Sequence, residues 1–386
     1  METSNEQITS LANANGTPLF IYSDQELRSQ ARQMLAVPAP YGLTIRYAMK
    51  ANPNNDVLRV LQSEGVWIDA SSGYEAEAAV NLGFKPDSIL LTSQELAHNL
   101  VELTSQGVEF NATSLRQLEE YGKVNPGTDV SVRINPGIGS GHSVKTNVGG
   151  HTSSFGIWHE YTKQVHEICD QYSLNVKRLH THIGSGTDPA VWQEAIRVSL
   201  EIIKNFPNAT IINLGGGFKV ARMPEEVGAD MEVIGRALSS ELTKFASETG
   251  RKLHLELEPG TFLVANAGVL VAKISDITDT GPDGYNFIKL NTGMNDILRP
   301  SLYGAQHPLK IVNDSTEAVE YVVVGHNCES GDLLTPAPGD AEVLRPRTLQ
   351  RAEVGDLLVI GGTGAYCSSM AAHGYNSFPN ATEILV

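Results

Sequence analysis

Lys50 closes an apolar run, Thr44-Ile45-Arg46-Tyr47-Ala48-Met49-Lys50. A lysine there either snorkels to solvent or keeps a partly desolvated amine, the form that condenses with a carbonyl to a Schiff base. His180 and His182 are two apart in HTHIGSG, on one face of a strand. Such a pair binds a metal, packs an imidazole on a flat ligand ring, or is simply satisfied in the core; no third metal ligand is evident, so no metal is expected. Gly215, Gly216 and Gly217 end another strand-like run. They make either a tight turn or a nest of bare N–H groups for an anion. Glu258 precedes Pro259-Gly260. It is a surface carboxylate, or one that the turn aims at a shared opening.

Eight strand-like runs carry these groups, over 44–51, 67–72, 89–93, 108–114, 129–136, 178–185, 210–217 and 254–260. Helical spacing fills the gaps at 56–64, 75–82, 95–106, 115–121, 159–172, 191–205 and 225–248. Alternation of this kind points to an α/β fold, a parallel (β/α)8 TIM barrel, with a doubly wound open sheet as the rival. A barrel places its active site at the carboxyl ends of the strands. Lys50, an imidazole, the glycines and Glu258 then surround one mouth. That set suits pyridoxal 5′-phosphate, which needs an amine, a stacking group, a phosphate cradle and an acid for the pyridine nitrogen.

Beyond about residue 268 the texture changes to short alternating strands with turns such as TGPDG and TPAPGD. This predicts a C-terminal antiparallel β-barrel or sandwich domain. The strand-like segment 17–23 is assigned to it as well. The expected division is therefore 24–268 for the barrel and 1–23 with 269–386 for the β domain. The 386 residues are 41% hydrophobic, enough for large cores. With 28 Lys+Arg against 44 Asp+Glu, the net charge of −16 argues against nucleic acid and anionic membranes as partners. The first residues lack a secretory pattern, and no apolar run is long enough to span a bilayer. Cys169, Cys328 and Cys367 are odd in number and scattered, which fits a reducing cytoplasm.

The motifs YAMKAN, HTHIGSG, LGGGF, EPG, VANAG, GMNDILRPSLYG, CESGD, GAYCSSM and YNS occur in that order over nearly the whole chain. In this the sequence resembles the fold-type III, alanine racemase-like, pyridoxal-phosphate-dependent decarboxylases, most closely those acting on diaminopimelate. The resemblance implies decarboxylation of meso-2,6-diaminopimelate at its D centre to L-lysine, in a homodimer with shared active sites. It implies that Lys50 carries the cofactor, His182 stacks on its ring, and Ser185 with Gly215, Gly216 and Gly217 holds its phosphate. Glu258 would meet the pyridine nitrogen, with Gly260 in the adjoining turn. Asp69 and Arg133 would order the site, and Tyr375 would approach the phosphate and the substrate. Arg299 and Tyr303 would bind a substrate carboxylate. Cys328 and Glu329 would reach the site from the partner subunit, Cys328 as proton donor. Read by itself, Cys328 is a structural thiol.

The sequence also departs from the family pattern. The family usually has an arginine after Glu-Pro-Gly, which contacts the distal substrate carboxylate; here the residue is Thr261. Lys219 and Arg222, in GGGFKVARM, are either solvated loop charges or a replacement for that guanidinium. Another amino-acid substrate (ornithine, lysine or a carrier-bound glutamyl group) is the alternative. A racemase would want an arginine at the pyridine nitrogen rather than Glu258, and a non-catalytic homologue would not need Lys50.

Overall fold

The computed structural model describes residues 4–139, 149–182 and 185–386. The chain forms two compact units. One comprises Arg28–Lys219 and Val227–Leu263; the other comprises Met1–Leu27, Val220–Glu226 and Val264–Val386. The expected boundaries at 23/24 and 268/269 thus shift by a few residues. The segment 220–226, expected in the barrel, groups with the β unit.

The first unit is the eight-stranded parallel barrel. Its strands, in order, are Leu43–Ala48, Trp67–Ala70, Ile89–Leu91, Glu109–Ala112, Asp129–Asn135, Asn175–Thr181, Ile211–Asn213 and His254–Leu257. Neighbours pair in sequence, and His254–Leu257 pairs back onto Leu43–Ala48, which closes the ring and excludes the open sheet. A recurring local pattern builds it. After several of the buried strands a small polar residue caps the helix that follows. Asn54 caps Asn55–Ser63, Ser72 caps Gly73–Asn81, Ser114 caps Leu115–Val124 and Asp230 caps Met231–Thr249. Each cap accepts otherwise orphaned N–H groups, worth ~1 kcal/mol. The apolar stripe Val57, Leu58, Val60 and Leu61 then buries one helix face.

Register stacks polar side chains inside the ring. Ala48 lies opposite Asp69, Arg133 opposite His180, His180 opposite Asn213, and Asn213 opposite Glu256. The strands are shorter than the sequence predicts. The run through residue 51 stops at Ala48, whose N–H donates to Pro259 O, and Met49–Ala51 curls into a 3-10 turn. Lys50 therefore sits on a turn at the strand end. The helix expected from 95 begins at Leu100, and that expected from 225 begins at Met231.

In the β unit, Gly268–Asp279 is the long central strand. It pairs with Leu19–Tyr22, Asn286–Leu290 and Leu357–Ile360, all antiparallel. Within this mostly antiparallel sheet two pairings are parallel: Asn286–Leu290 with Ala318–Val324, and Leu19–Tyr22 with Thr382–Leu385. A helix missed in the sequence, Asn5–Asn15, starts with a Ser4/Gln7 capping box. It seats Ile8 and Ala12 on Leu19, Ile21, Val269 and Val271. Fully burying each larger side chain contributes ~1.5–3 kcal/mol. Among the described residues no helix is long and apolar enough to cross a membrane.

Candidate active site

At the carboxyl ends of the barrel strands, Lys50 Nζ donates to Ser71 Oγ at 3.0 Å and lies 3.9 Å from Asp69 Oδ2. Asp69 is buried, and its Oδ1 has no hydrogen-bond partner. Burial raises its pKa, against the pull of Lys50 and Arg133. Glu258 is also buried. Burial and the Asp69 carboxylate push it up to about 8, opposed by Lys50, by a 2.6 Å hydrogen bond from Asn213 Nδ2 and by Arg133. Arg133 stacks on Phe155 at 4.9 Å, and its charge favours both carboxylates.

Asn111 selects the state of His180. Its Nδ2 lies 2.7 Å from His180 Nδ1 and 3.1 Å from Thr92 Oγ1. An amide nitrogen only donates, so Nδ1 accepts and the ring proton sits on Nε2. That N–H faces Glu258 Oε2 at 3.5 Å. Burial, Arg133 and His182 hold His180 well below its ordinary pKa, so it is neutral. His180 is thus a buried partner of Glu258, whereas His182 is half-buried with an unpartnered Nδ1.

The glycines need their bare Cα atoms. Gly215 has φ +69°, and a Cβ there would fall 2.6 Å from His182 Cγ; one on Gly216 would fall 2.1 Å from Glu258 O. The expected nest of three free N–H groups is reduced, because Gly215 N–H donates to Asn213 Oδ1 at 2.8 Å. Among the described residues the Gly216 and Gly217 N–H groups make no hydrogen bond. Ser185 and Gly260 lie at the ends of the sixth and eighth strands. Ile183 and Gly184 of HTHIGSG, and 140–148 of the preceding loop, lie outside the described residues.

The barrel unit therefore gathers Lys50, Asp69, Arg133, His182, Ser185, Gly215–Gly217, Glu258, Gly260 and Lys219. The β unit holds the rest in two groups. Arg299 packs over Tyr303 at 5.9 Å, and Arg222 shares their unit rather than that of Lys219. Cys328 and Glu329 are exposed; Cys328 N–H donates to Asn376 Oδ1 at 2.7 Å, and Tyr375 OH donates to Glu329 Oε2 at 3.4 Å. Burial and Glu329 raise the Tyr375 pKa. Cys169 and Cys367 are buried. Sequence reading missed Ser71, Asn111, Asn213 and Asn376. Asn213, two residues before the glycines, had the most visible signal, since an amide inside an apolar strand needs partners.

The groups present fit pyridoxal phosphate. Lys50 offers an amine beside a carboxylate. Gly216 and Gly217 offer N–H donors to a phosphate. Glu258, poised near neutrality, suits a proton shared with a ring nitrogen.

Residues 20–265 match the family described as pyridoxal-dependent decarboxylase, pyridoxal binding domain. A Streptomyces coelicolor protein named diaminopimelate decarboxylase is 35% identical, over 98% of this chain and 87% of its own length. The Escherichia coli protein of that name is 33% identical, over 96% and 89%. A solved diaminopimelate decarboxylase superposes with a TM-score of 0.92 at 32% identity, covering 99% of this chain and 91% of its own. A lysine/ornithine decarboxylase of Vibrio vulnificus, 22% identical over 100% and 99% of the two chains with a TM-score of 0.82, shares the fold.

Proposed function

The chain belongs to the pyridoxal-dependent decarboxylases, and from that membership we propose that it decarboxylates meso-2,6-diaminopimelate at its D centre, giving L-lysine and carbon dioxide. The observation that carries the chemistry is the pairing of Lys50 and Asp69 with the buried, proton-holding Glu258 at one barrel mouth. The near full-length likeness to proteins named for this substrate supports its identity. Thr261, in place of the family arginine, favours one second reading: the same chemistry on ornithine, lysine or a carrier-bound glutamyl group.

Pyridoxal phosphate, when bound, draws off the electron pair that a departing carboxylate leaves on Cα. The chain's residues prepare for that. Lys50 holds the cofactor, and Asp69 and Ser71 keep its amine oriented and able to exchange a proton. Glu258 holds a proton at the pyridine nitrogen, steadied by Asn213 and the neutral His180. His182 would pack on the cofactor's ring, and Ser185, the Gly216 and Gly217 N–H groups and Tyr375 would hold its phosphate. Gly260 lets the chain turn away after Glu258. Arg299, Tyr303 and Glu329 grip the far end of the substrate. Cys328, anchored through Asn376, donates the proton to Cα.

Cys328 and Glu329 are exposed on their own chain, which supports a homodimer in which they complete the site of the other copy. Carbon dioxide release from meso-diaminopimelate, L-ornithine and L-lysine tests the substrate. Release from diaminopimelate is expected, with the pyridoxal absorbance lost in Lys50→Ala. Release from another amino acid and none from diaminopimelate would overturn it.

A further inference from the structure

The turn 326–332, which carries Cys328 and Glu329, and the segment 372–378, which carries Tyr375, both belong to the β unit. Asp332 ends the turn and is buried. Two glycines make room for its carboxylate. A Cβ on Gly293 would fall 2.2 Å from Asp332 Oδ2, and one on Gly325 would fall 2.1 Å from the same atom. Oδ1 accepts Met294 N–H at 2.7 Å, while Oδ2 accepts Asn327 N–H at 2.9 Å and Asn327 Nδ2 at 2.7 Å. Burial raises the Asp332 pKa against these bonds. An amide there would avoid desolvating a charge, but it accepts on one side only; donors on both sides need two acceptor oxygens.

These bonds join segments far apart in the chain. Met294 O accepts Ala372 N–H at 3.0 Å, and in the same segment Asn376 Oδ1 accepts Cys328 N–H at 2.7 Å. From Asn327 the path runs through Asp332, Met294, Ala372 and Asn376 to Cys328, the neighbour of Asn327, and so closes. A second tie runs beside it. The Phe378 ring stacks on His326 at 3.6 Å, and His326 Nε2 donates to Asn295 Oδ1 at 2.7 Å. Asn376 and Ser377 are both left-handed, at φ +49° and +61°. Residues with a Cβ rarely adopt this conformation, and two in succession persist only where their surroundings hold them. The Asn376 bond to Cys328 is one such hold.

We propose that Asp332 is a positioning residue for Cys328: it closes the hydrogen-bonded circuit that fixes the Cys328 backbone, so that the thiol delivers its proton to Cα from one side. The delivery rests on the role proposed above for Cys328; the circuit rests on the bonds themselves. In the step the S–H bond breaks, the Cα–H bond forms, and water returns a proton to sulfur.

Amide hydrogen exchange of the holoenzyme, read at Cys328, tests the circuit without turnover. Asp332→Asn should speed exchange there by roughly tenfold or more. Asn376→Gly should do the same; it suits the left-handed backbone and removes only the acceptor, so it stands in if Asp332→Asn fails to fold. Asn376→Asp keeps an acceptor oxygen and should restore most of the protection. Turnover of meso-diaminopimelate in D2O tests the consequence. The wild type should place deuterium on one face of the product carbon. Asp332→Asn and Asn376→Gly should label both faces, with kcat down roughly 10–100-fold and KM changed by less than about threefold. A loss of folded protein alone would leave one face labelled. Unchanged exchange at Cys328 in both variants would overturn the circuit. Faster exchange, with one face labelled and kcat unchanged, would overturn the positioning role. Cys328→Ala then separates the two readings: altered labelling in that variant leaves the donor standing, and unaltered labelling with unchanged kcat removes it as well.

Discussion

Two arginine pairs, one in each unit, place positive charge in opposite ways. In the barrel, Arg46 and Arg178 are enclosed with Glu109 and Glu256. Arg178 Nη2 donates to Glu109 Oε2 at 2.7 Å and to Glu256 Oε1 at 2.9 Å, and Arg46 Nη2 donates to Glu109 Oε2 at 2.8 Å. Burial alone would raise Glu256, yet the two guanidiniums hold it at about 2. Lys177 joins at Glu109 Oε1, 2.7 Å away, and each charge there has an opposite charge beside it in the same unit. In the β unit, Arg222 and Arg299 are only half-buried, and although Glu226 acts on Arg222 through its charge, neither guanidinium makes an ion pair among the described residues. The residue type is the same; burial and the placing of acids separate a closed ion network from an open pair.

The comparison can be broken at either end. Glu256→Gln leaves Arg46 and Arg178 short of a charge. It should cost about 3–5 kcal/mol, roughly 10 °C in Tm by calorimetry. If Tm held, the barrel network would not be a closed unit. Arg222→Met should leave stability within about 1 kcal/mol of wild type, because Arg222 is only half-buried and its side chain hydrogen-bonds to Gly362 O alone among the described residues. A large fall in Tm would make Arg222 structural.

Asn213→Leu probes the link between the barrel network and the site, since Asn213 donates to both Glu256 and Glu258. It should cost ~1–3 kcal/mol and shift the pH dependence of the pyridoxal absorbance. In the cofactor-free protein, Glu258 has a folded pKa of about 8 against an ordinary 4.5. The folded state thus holds a proton that the unfolded chain releases. This contribution is fully present below about 4.5 and is lost as pH rises through about 8. Glu258→Gln should therefore raise Tm relative to wild type more at pH 8 than at pH 5; an equal change at both would show an ordinary carboxylate. Lys219 makes no ion pair among the described residues, and Lys219→Ala should move stability by less than ~0.5 kcal/mol in urea unfolding.

Much of the site is visible in the linear order of residues. Lys50, His182, the glycines and Glu258 each end a strand-like run, and a parallel barrel brings strand ends together. Other parts were hidden. The sequence suggested that His180 and His182 share a face; burial keeps His180 neutral, Asn111 sets its ring proton on Nε2 toward Glu258, and His182 Nδ1 has no partner among the described residues. Three glycines suggested three donors, but Asn213 takes one of them. Lys219 and Arg222 looked alike, three residues apart in one loop. The fold assigns them to different units, and of the two only Arg222 makes a side-chain hydrogen bond among the described residues, to Gly362 O.

The sequence by itself determined the barrel, the order of its chemistry and the kind of cofactor. Strand and helix periodicity, capping residues and glycine turns are local, and local patterns survive without coordinates. The tertiary structure decided which charges are neutralised, which protons sit where and which arginine is left open. These depend on distances between residues far apart in the chain and on how much water each one loses. Neither quantity is written in spacing along the chain.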